Sequence, residues 1–542
     1  MMNRLYPIAF FAILLFGYPC ATFAQDTVFN RVVTVERDYQ PEVQEAQAIA
    51  TTPTFIQYTP QLNPVVYSTY SEPLSIGYNL HALPASKTHF RPNGPDPLNG
   101  VLDGAVGYRN SHFLFGYRIL PKNKTSLDLY ANHDAYWGKD ALSQSAVGLK
   151  VTQHFRRADL YFDMEGKHDY WHYLVPQNTI WGAKANIGIV SKGHSPIQYR
   201  VQTGYQLCFP TTFQMEHQVR TIANIYWTNQ IHAAGINATV QNFFYTGNNV
   251  APNLLFNTIH AIRLEPFYEL NYKNIHLHAG VNLNMNIDQN IYDMMEGGTD
   301  PYYSSIKGLG FAPSPNIQFS WHTNNNIFHV YANSIARYGA NAMSDQLAYN
   351  RFLTMPNQRT HSPHSVEQTV GIKLRPIKTL LLDIYGGHAT HNQYYTHVDT
   401  EKKTYQIYTG SYYHCWKVGA SLHYHYRDIL EFNAAGNYYF WDTPYHYDRP
   451  DWDAQARLDV HITSKWSLYS ENYLAGSRWV DTSEGAKQIK PMISLNLGGQ
   501  YIINRWLSVY LQLNDYLNRR DEIFYGYHSQ GIHFLLGVKY KF

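Results

Sequence analysis

Residues 274–288 read NIHLHAGVNLNMNID. Ile275, Leu277, Ala279, Val281, Leu283, Met285 and Ile287 take one parity, while Asn274, His276, His278, Asn282, Asn284, Asn286 and Asp288 take the other. A two-residue period puts the two sets on opposite faces of a strand, one apolar and one polar. No helix fits, because apolar neighbours three positions apart are missing. The carboxy terminus repeats the pattern: Ile532, Phe534, Leu536, Val538, Tyr540 and Phe542 are apolar, and the alternate positions carry His533, Lys539 and Lys541. Tilted strands of about 9–11 residues cross a bilayer, and both segments are long enough.

Similar segments recur along the chain. They fall near 100–108, 111–119, 124–132, 145–155, 158–167, 180–191, 196–207, 216–227, 231–244, 257–272 and 274–287. The series continues near 315–322, 326–334, 367–375, 379–389, 416–426, 428–441, 454–463, 465–475, 491–503, 505–515 and 531–542. That makes about 22 strands, an even number of the kind single-chain bacterial barrels use. Short turns such as Lys273-Asn274, Thr323-Asn324-Asn325, Arg427-Asp428, Ser464-Lys465 and Asn504-Arg505 alternate with long loops near 288–314, 335–366, 390–415, 442–453, 476–490 and 516–530. Short periplasmic turns opposite long outer loops are the asymmetry of outer-membrane barrels. The pattern predicts an all-β fold: a transmembrane antiparallel β-barrel over residues 100–542, preceded by a Pro-rich extension.

The amino-terminal segment behaves differently. Arg4, an apolar run from Leu5 to Leu15 and the small-residue exit Thr22-Phe23-Ala24 read as a secretory signal peptide over residues 1–24. Residues 25–99 carry prolines at 41, 53, 60, 64, 73, 84, 92, 95 and 97 and lack strand alternation. One short helix starting at Pro41 is expected, and the remainder reads as extended chain, either a lumen plug or a periplasmic arm.

Composition sharpens this picture. No apolar run beyond the signal approaches the roughly 20 residues of a spanning helix. The mean hydropathy of −0.39 would equally suit a secreted soluble protein. A barrel hides its membrane character, however, because lipid-facing and lumen-facing residues average out. The 47 tyrosines and 11 tryptophans supply the rings that interfacial girdles require. A net charge of +2 argues against a nucleic-acid partner. Cys20 leaves with the signal, and Cys208 and Cys415 fall near the tops of well-separated strands, so no disulfide is expected.

The run from Ser508 to Phe542 resembles the last two strands of TonB-dependent receptor barrels. It carries the Asn514-Asp515-Tyr516-Leu517-Asn518 element, the aromatic loop Tyr525-Gly526-Tyr527, then Gly531, Gly537 and a closing Phe542. The likeness covers about 35 residues, and elsewhere it is architectural. Ile532 stands where that family often has Arg, and only about 75 residues precede strand one after the signal, too few for the family's globular plug. The stretch Val33 to Val43 is similar to a plugless, receptor-like group of the Bacteroidetes type. The resemblance implies a receptor-like barrel without a full plug.

Candidate chemistry is sparse. Val32, Val33, Thr34 and Val35 could form a TonB-box-like stretch, able to add a strand to a periplasmic partner. The pairs His276/His278 and His423/His425 each share the lumen face and are candidate transition-metal ligands. No carboxylate or thiolate stands at a recognisable spacing from them, which favours ordinary polar lining, so no metal or cofactor is expected. Arg427, Asp428, Arg505, Lys539 and Lys541 read as turn or interface charges. Neither a GxSxG elbow nor an HExxH motif occurs, and no enzymatic activity is expected.

Two functions follow from this reading. The barrel passes or takes up a solute across the outer membrane, or it is a scaffold whose long outer loops hold other envelope proteins. Its expected partners are outer-membrane lipids, the barrel-assembly machinery, and TonB or a surface lipoprotein. Carboxy-terminal positions Ile532, Phe534, Leu536, Val538, Tyr540 and Phe542 are the expected assembly strand.

Overall fold

The computed structural model describes residues 100–542 apart from 120–123, 138–140, 173–177, 193–194, 230, 248–255, 257, 289–308, 355–363, 393, 403 and 410–412. The signal segment, the Pro-rich residues 25–99 and the Val32–Val35 stretch lie outside the described residues.

The strands are β1 (Gly100–Gly107), β2 (Asn110–Ile119), β3 (Thr125–Tyr136), β4 (Leu142–His154), β5 (Ala158–Trp171), β6 (Asn178–Ser191), β7 (Ile197–Pro210), β8 (Met215–Thr228), β9 (His232–Thr246) and β10 (Ile259–Tyr272). They continue as β11 (Ile275–Asp288), β12 (Leu309–His322), β13 (Phe328–Tyr338), β14 (His364–Ile377), β15 (Leu380–Asn392), β16 (Tyr394–Asp399), β17 (Thr404–Thr409), β18 (Tyr413–Tyr426) and β19 (Leu430–Trp441). The last are β20 (Trp452–His461), β21 (Trp466–Ala475), β22 (Arg478–Thr482), β23 (Lys487–Ile489), β24 (Met492–Ile502), β25 (Leu507–Asn514), β26 (Glu522–Phe524), β27 (Tyr527–His528) and β28 (His533–Lys541). Helix α1 spans Met343–Tyr349.

Twenty-two strands form one antiparallel sheet, each paired with its successor in the wall. Six short strands, β16, β17, β22, β23, β26 and β27, stand outside it. The sheet closes on itself: β28 pairs with both β25 and β1, and Gly100 and Phe542 exchange backbone hydrogen bonds of 2.8 and 3.0 Å. Closure satisfies every ladder position that hydrocarbon would otherwise leave unpaired. Each of the 22 expected strands has its counterpart in the wall, and strands β5 to β12 reach 14–15 residues, longer than a crossing requires.

Alternation sorts the wall into two surfaces. Val147, Ile187, Val281, Val370, Val418 and Leu536 are all exposed on the outer side. Trp137, Trp181, Trp416 and Phe440 ring its upper end and Trp227, Trp321, Trp466 and Trp506 its lower end, the two aromatic belts of a membrane crossing. All six expected assembly-strand positions, Ile532 to Phe542, belong to this exposed outer set. Inside, β11 presents His278, Asn282, Asn284 and Asn286, each buried.

The inner face shows a repeating device. Tyr161 on β5 lies over Gly188 on β6, and its hydroxyl donates to Gln202 on β7 at 2.9 Å. Tyr331 crosses Gly371 to Asp383 (2.9 Å), Tyr385 crosses Gly419 to Asn437 (2.7 Å), and Tyr510 crosses Gly537 to Asp103 (2.6 Å). Tyr130 crosses Gly148 to Glu165 in the same way. A glycine on the middle strand lets the ring lie flat on the sheet, so the hydroxyl reaches two strands away. A Cβ on Gly537 would stand 2.2 Å from Tyr510 Cζ.

Candidate functional site: the outer mouth

Gly100 and Phe542 mark the end from which the short turns leave. The long loops therefore gather at the opposite, outer end. Sequence reasoning treated them as polar loops, but several are ordered. β16, β17, β22 and β23 form a four-stranded sheet in which β16 and β22 run parallel and the other pairs antiparallel. β26 and β27 make a small hairpin beside it. The clue was present in Tyr394–Asp399 and Thr404–Thr409, two short alternating segments separated by a polar turn.

One face of this sheet is apolar and covered. Val398, Ile407, Val480 and Ile489 are each 2% exposed or less. They pack in one cluster with Met343 and Leu347 of α1, with Phe352 and Leu353, and with Phe524 and Tyr527 of the hairpin. The Phe352 and Tyr527 rings stack at 3.8 Å. The same cluster includes Tyr136, Leu142, Trp171, Ile180 and Cys208. Those five are inward positions at the outer ends of β3 to β7. The ordered loops spring from the wall between β13 and β28, across the ring from β3 to β7. Loops from one side thus cross the mouth and bury themselves against the rim of the other. The result is a lid.

Buried polar groups fasten it. Glu216, an inward residue near the outer end of β8, is 1% exposed. Its carboxylate accepts from the Ser344 backbone N–H at 3.1 Å and from the Tyr245 hydroxyl at 3.0 Å. Ser344 lies in the first turn of α1, where backbone donors have no helical partner, so a wall carboxylate pins a lid helix. Asp448 accepts from the Thr396 backbone N–H (2.6 Å) and the Tyr349 hydroxyl (3.0 Å). Arg478 donates to the carbonyls of Ile523 (2.9 Å) and Glu522 (2.7 Å), joining sheet to hairpin.

Burial dominates the electrostatics of the lid. It raises the Asp448 carboxyl above the usual range, and the bonds from Thr396 and Tyr349 only partly oppose it. Asp345 of α1 is pushed up to about 7 by the surrounding protein and then by the Glu216 charge, with Arg220 opposing. The Asp345 side chain still meets solvent, so hydration moderates that shift. Asp515, after β25, is raised to about 6 by burial and by Asp521.

The histidine pairs face the lumen but converge on no common centre. Both ring nitrogens of His278 face carboxylates, Glu269 at 3.0 Å and Glu265 at 3.2 Å. His276 Nδ1 meets Asn271 at 2.5 Å, and His423 meets Asn433 at 2.5 Å. Among the described residues no group of three or more His, Cys, Asp or Glu side chains could hold a metal ion. Arg427 lies over Tyr426 and Arg505 over Trp506 at the short-turn end, and Lys539 stands 3.7 Å from Asp103 at the seam. Cys208 and Cys415 are free and buried. Sequence reasoning missed the tyrosine straps and Glu216, because both depend on which strands become neighbours.

No protein-family model matches the chain, and no curated protein matches it in sequence. Solved structures do. The ferric enterobactin receptor PfeA of Pseudomonas aeruginosa superposes with a TM-score of 0.61 at 12% identity, over 83% of this chain and 81% of the receptor. The ferric-catecholate import receptor Fiu of E. coli K12 gives 0.61 at 10% identity over 82% of each chain. The copper transporter OprC gives 0.60 at 10% identity, over 83% of this chain and 81% of the transporter. At such identities the likeness speaks for fold. This chain is a closed 22-strand, multi-pass outer-membrane β-barrel with the architecture of TonB-dependent receptors.

Proposed function

We propose that the protein passes a hydrophilic solute across the outer membrane through a lumen closed at its outer mouth by the lid. The observation that carries this reading is the direction of the loops. They bury an apolar core against the far rim instead of standing outward to hold other proteins. A wall of 22 strands encloses space for an aqueous path, and a passage device needs a closure. Each large apolar side chain in the lid core adds about 1.5–3 kcal/mol, so opening requires input from a solute or a partner. The architecture it shares with transport receptors supports TonB as that partner, reached from the periplasm through Val32–Val35 and adding a strand there.

The test is single-channel conductance of the full chain against three variants. One replaces residues 340–354 with a short flexible linker, one lacks residues 25–99, and the third combines both changes. A large stable pore in the combined variant is expected. Failure of the combined, correctly folded variant to conduct would overturn passage.

A further inference from the structure

Beneath the lid, the inner wall of β6, β7 and β8 holds a cavity of about 170 Å³ lined by Lys184, Asn186, Gln202, Gln206, Gln218 and Arg220. Its origin is local. Gly204 pairs with Asn186 on one side and Arg220 on the other, and a Cβ there would meet Asn186 Oδ1 at 1.9 Å. Any side chain at 204 would fill the space.

The lining is polar and basic. Gln218 is 9% exposed and lines this cavity with its amide. Arg220, two positions along the same face, is exposed toward the lumen and makes neither a hydrogen bond nor an ion pair among the described residues. Lys184 has Glu165 at 3.7 Å, so its charge is partly answered. No carboxylate lines the cavity itself. Gln202 accepts from Tyr161, and Asn186 donates to Asp163, which hold those two amides in place.

A guanidinium, an ammonium and side-chain amides around a small water-accessible space are the complement of an oxyanion. A guanidinium fork binds a planar carboxylate or a phosphate with two parallel hydrogen bonds. We propose that this cavity is a subsite for the oxyanion group, carboxylate or phosphate, of a hydrophilic solute in the lumen. This rests on the passage reading for its role, though not for its binding. The site lies two inward positions below Glu216 on β8, about 13 Å along the strand.

Calorimetric titration of the full-length protein in detergent tests the subsite, with gluconate, inorganic phosphate and, as neutral control, glucose. Binding of at least one oxyanion is expected, with glucose silent, and the two anions distinguish a carboxylate from a phosphate ligand. Arg220→Gln should weaken it about tenfold to a hundredfold, the range of a hydrogen bond to a charged group, and Arg220→Lys should restore part. Raised salt should weaken it further. Unchanged affinity in a folded Arg220→Gln protein, no oxyanion binding by the wild type, or equal binding of glucose would each overturn the proposal. Oxyanion binding without conductance in the doubly shortened barrel would remove the passage reading and leave the subsite. Conductance without such binding would do the reverse.

Discussion

The Tyr510 hydroxyl donates to Asp103 at 2.6 Å across the backbone of Gly537. The two residues are 407 positions apart in sequence, and the bond straps the penultimate wall strand to the first one over the closing strand. Lys539, on the strand between them, stands 3.7 Å from the same carboxylate. The junction where the barrel meets itself is therefore held by side chains on its inner face as well as by the ladder.

Removing the strap should loosen the seam. Tyr510→Phe keeps the ring over Gly537 and loses about 1.5–3 kcal/mol, the worth of a hydrogen bond to a charged group. Gly537→Ala should be worse, because the new methyl must displace the ring. Gel mobility of samples heated in steps reads both. The folded band should convert at a lower temperature for Tyr510→Phe and lower still for Gly537→Ala.

Glu216 is the pin between wall and lid. Replacing it with Leu strands the Ser344 N–H and the Tyr245 hydroxyl in a buried place, at about 1–3 kcal/mol for each unsatisfied group. The barrel should still assemble, since the ladder is untouched, while the lid opens more often. Single-channel recordings should show brief openings in Glu216→Leu that are rarer in Glu216→Gln, whose amide oxygen still accepts.

Asp515 makes the outer hairpin sensitive to pH. Burial and then Asp521 raise its folded pKa to about 6, above the ordinary value near 3.9. The folded arrangement thus prefers the protonated acid. Its contribution is complete below about pH 4 and is lost as pH rises through 6. Backbone hydrogen exchange over residues 519–529 should quicken, after correction for intrinsic rates, between pH 4 and 7. Asp515→Asn should flatten that dependence.

Cys208 and Cys415 should stay reduced and unreactive in the folded barrel. They are 5% and 1% exposed. Mobility on gels should be the same with and without reductant, and a maleimide should label neither thiol until the sample is boiled. Labelling of Cys208 alone in the Glu216→Leu protein would show the lid core opening at the β7 rim.

The strands were legible because a membrane crossing imposes a strict rule at every second residue. Val281 must meet lipid and Asn282 must meet water, so the period survives in the sequence whatever the neighbours are. Turn lengths such as Lys273-Asn274 told the two ends apart for the same reason. The sequence also suffices for parity, and so for the lumen placement of His276, His278, His423 and His425.

What those residues do was decided only by closure. Tyr510 and Asp103 meet because the last strand pairs with the first, and Glu216 meets Ser344 because a loop crosses the mouth. Gly204 opens a cavity only because Asn186 and Arg220 flank it on neighbouring strands. Hydrophobic period is a local property written along one strand, whereas a strap, a lid or a cavity is a relation between strands, and its terms appear once the ring has shut.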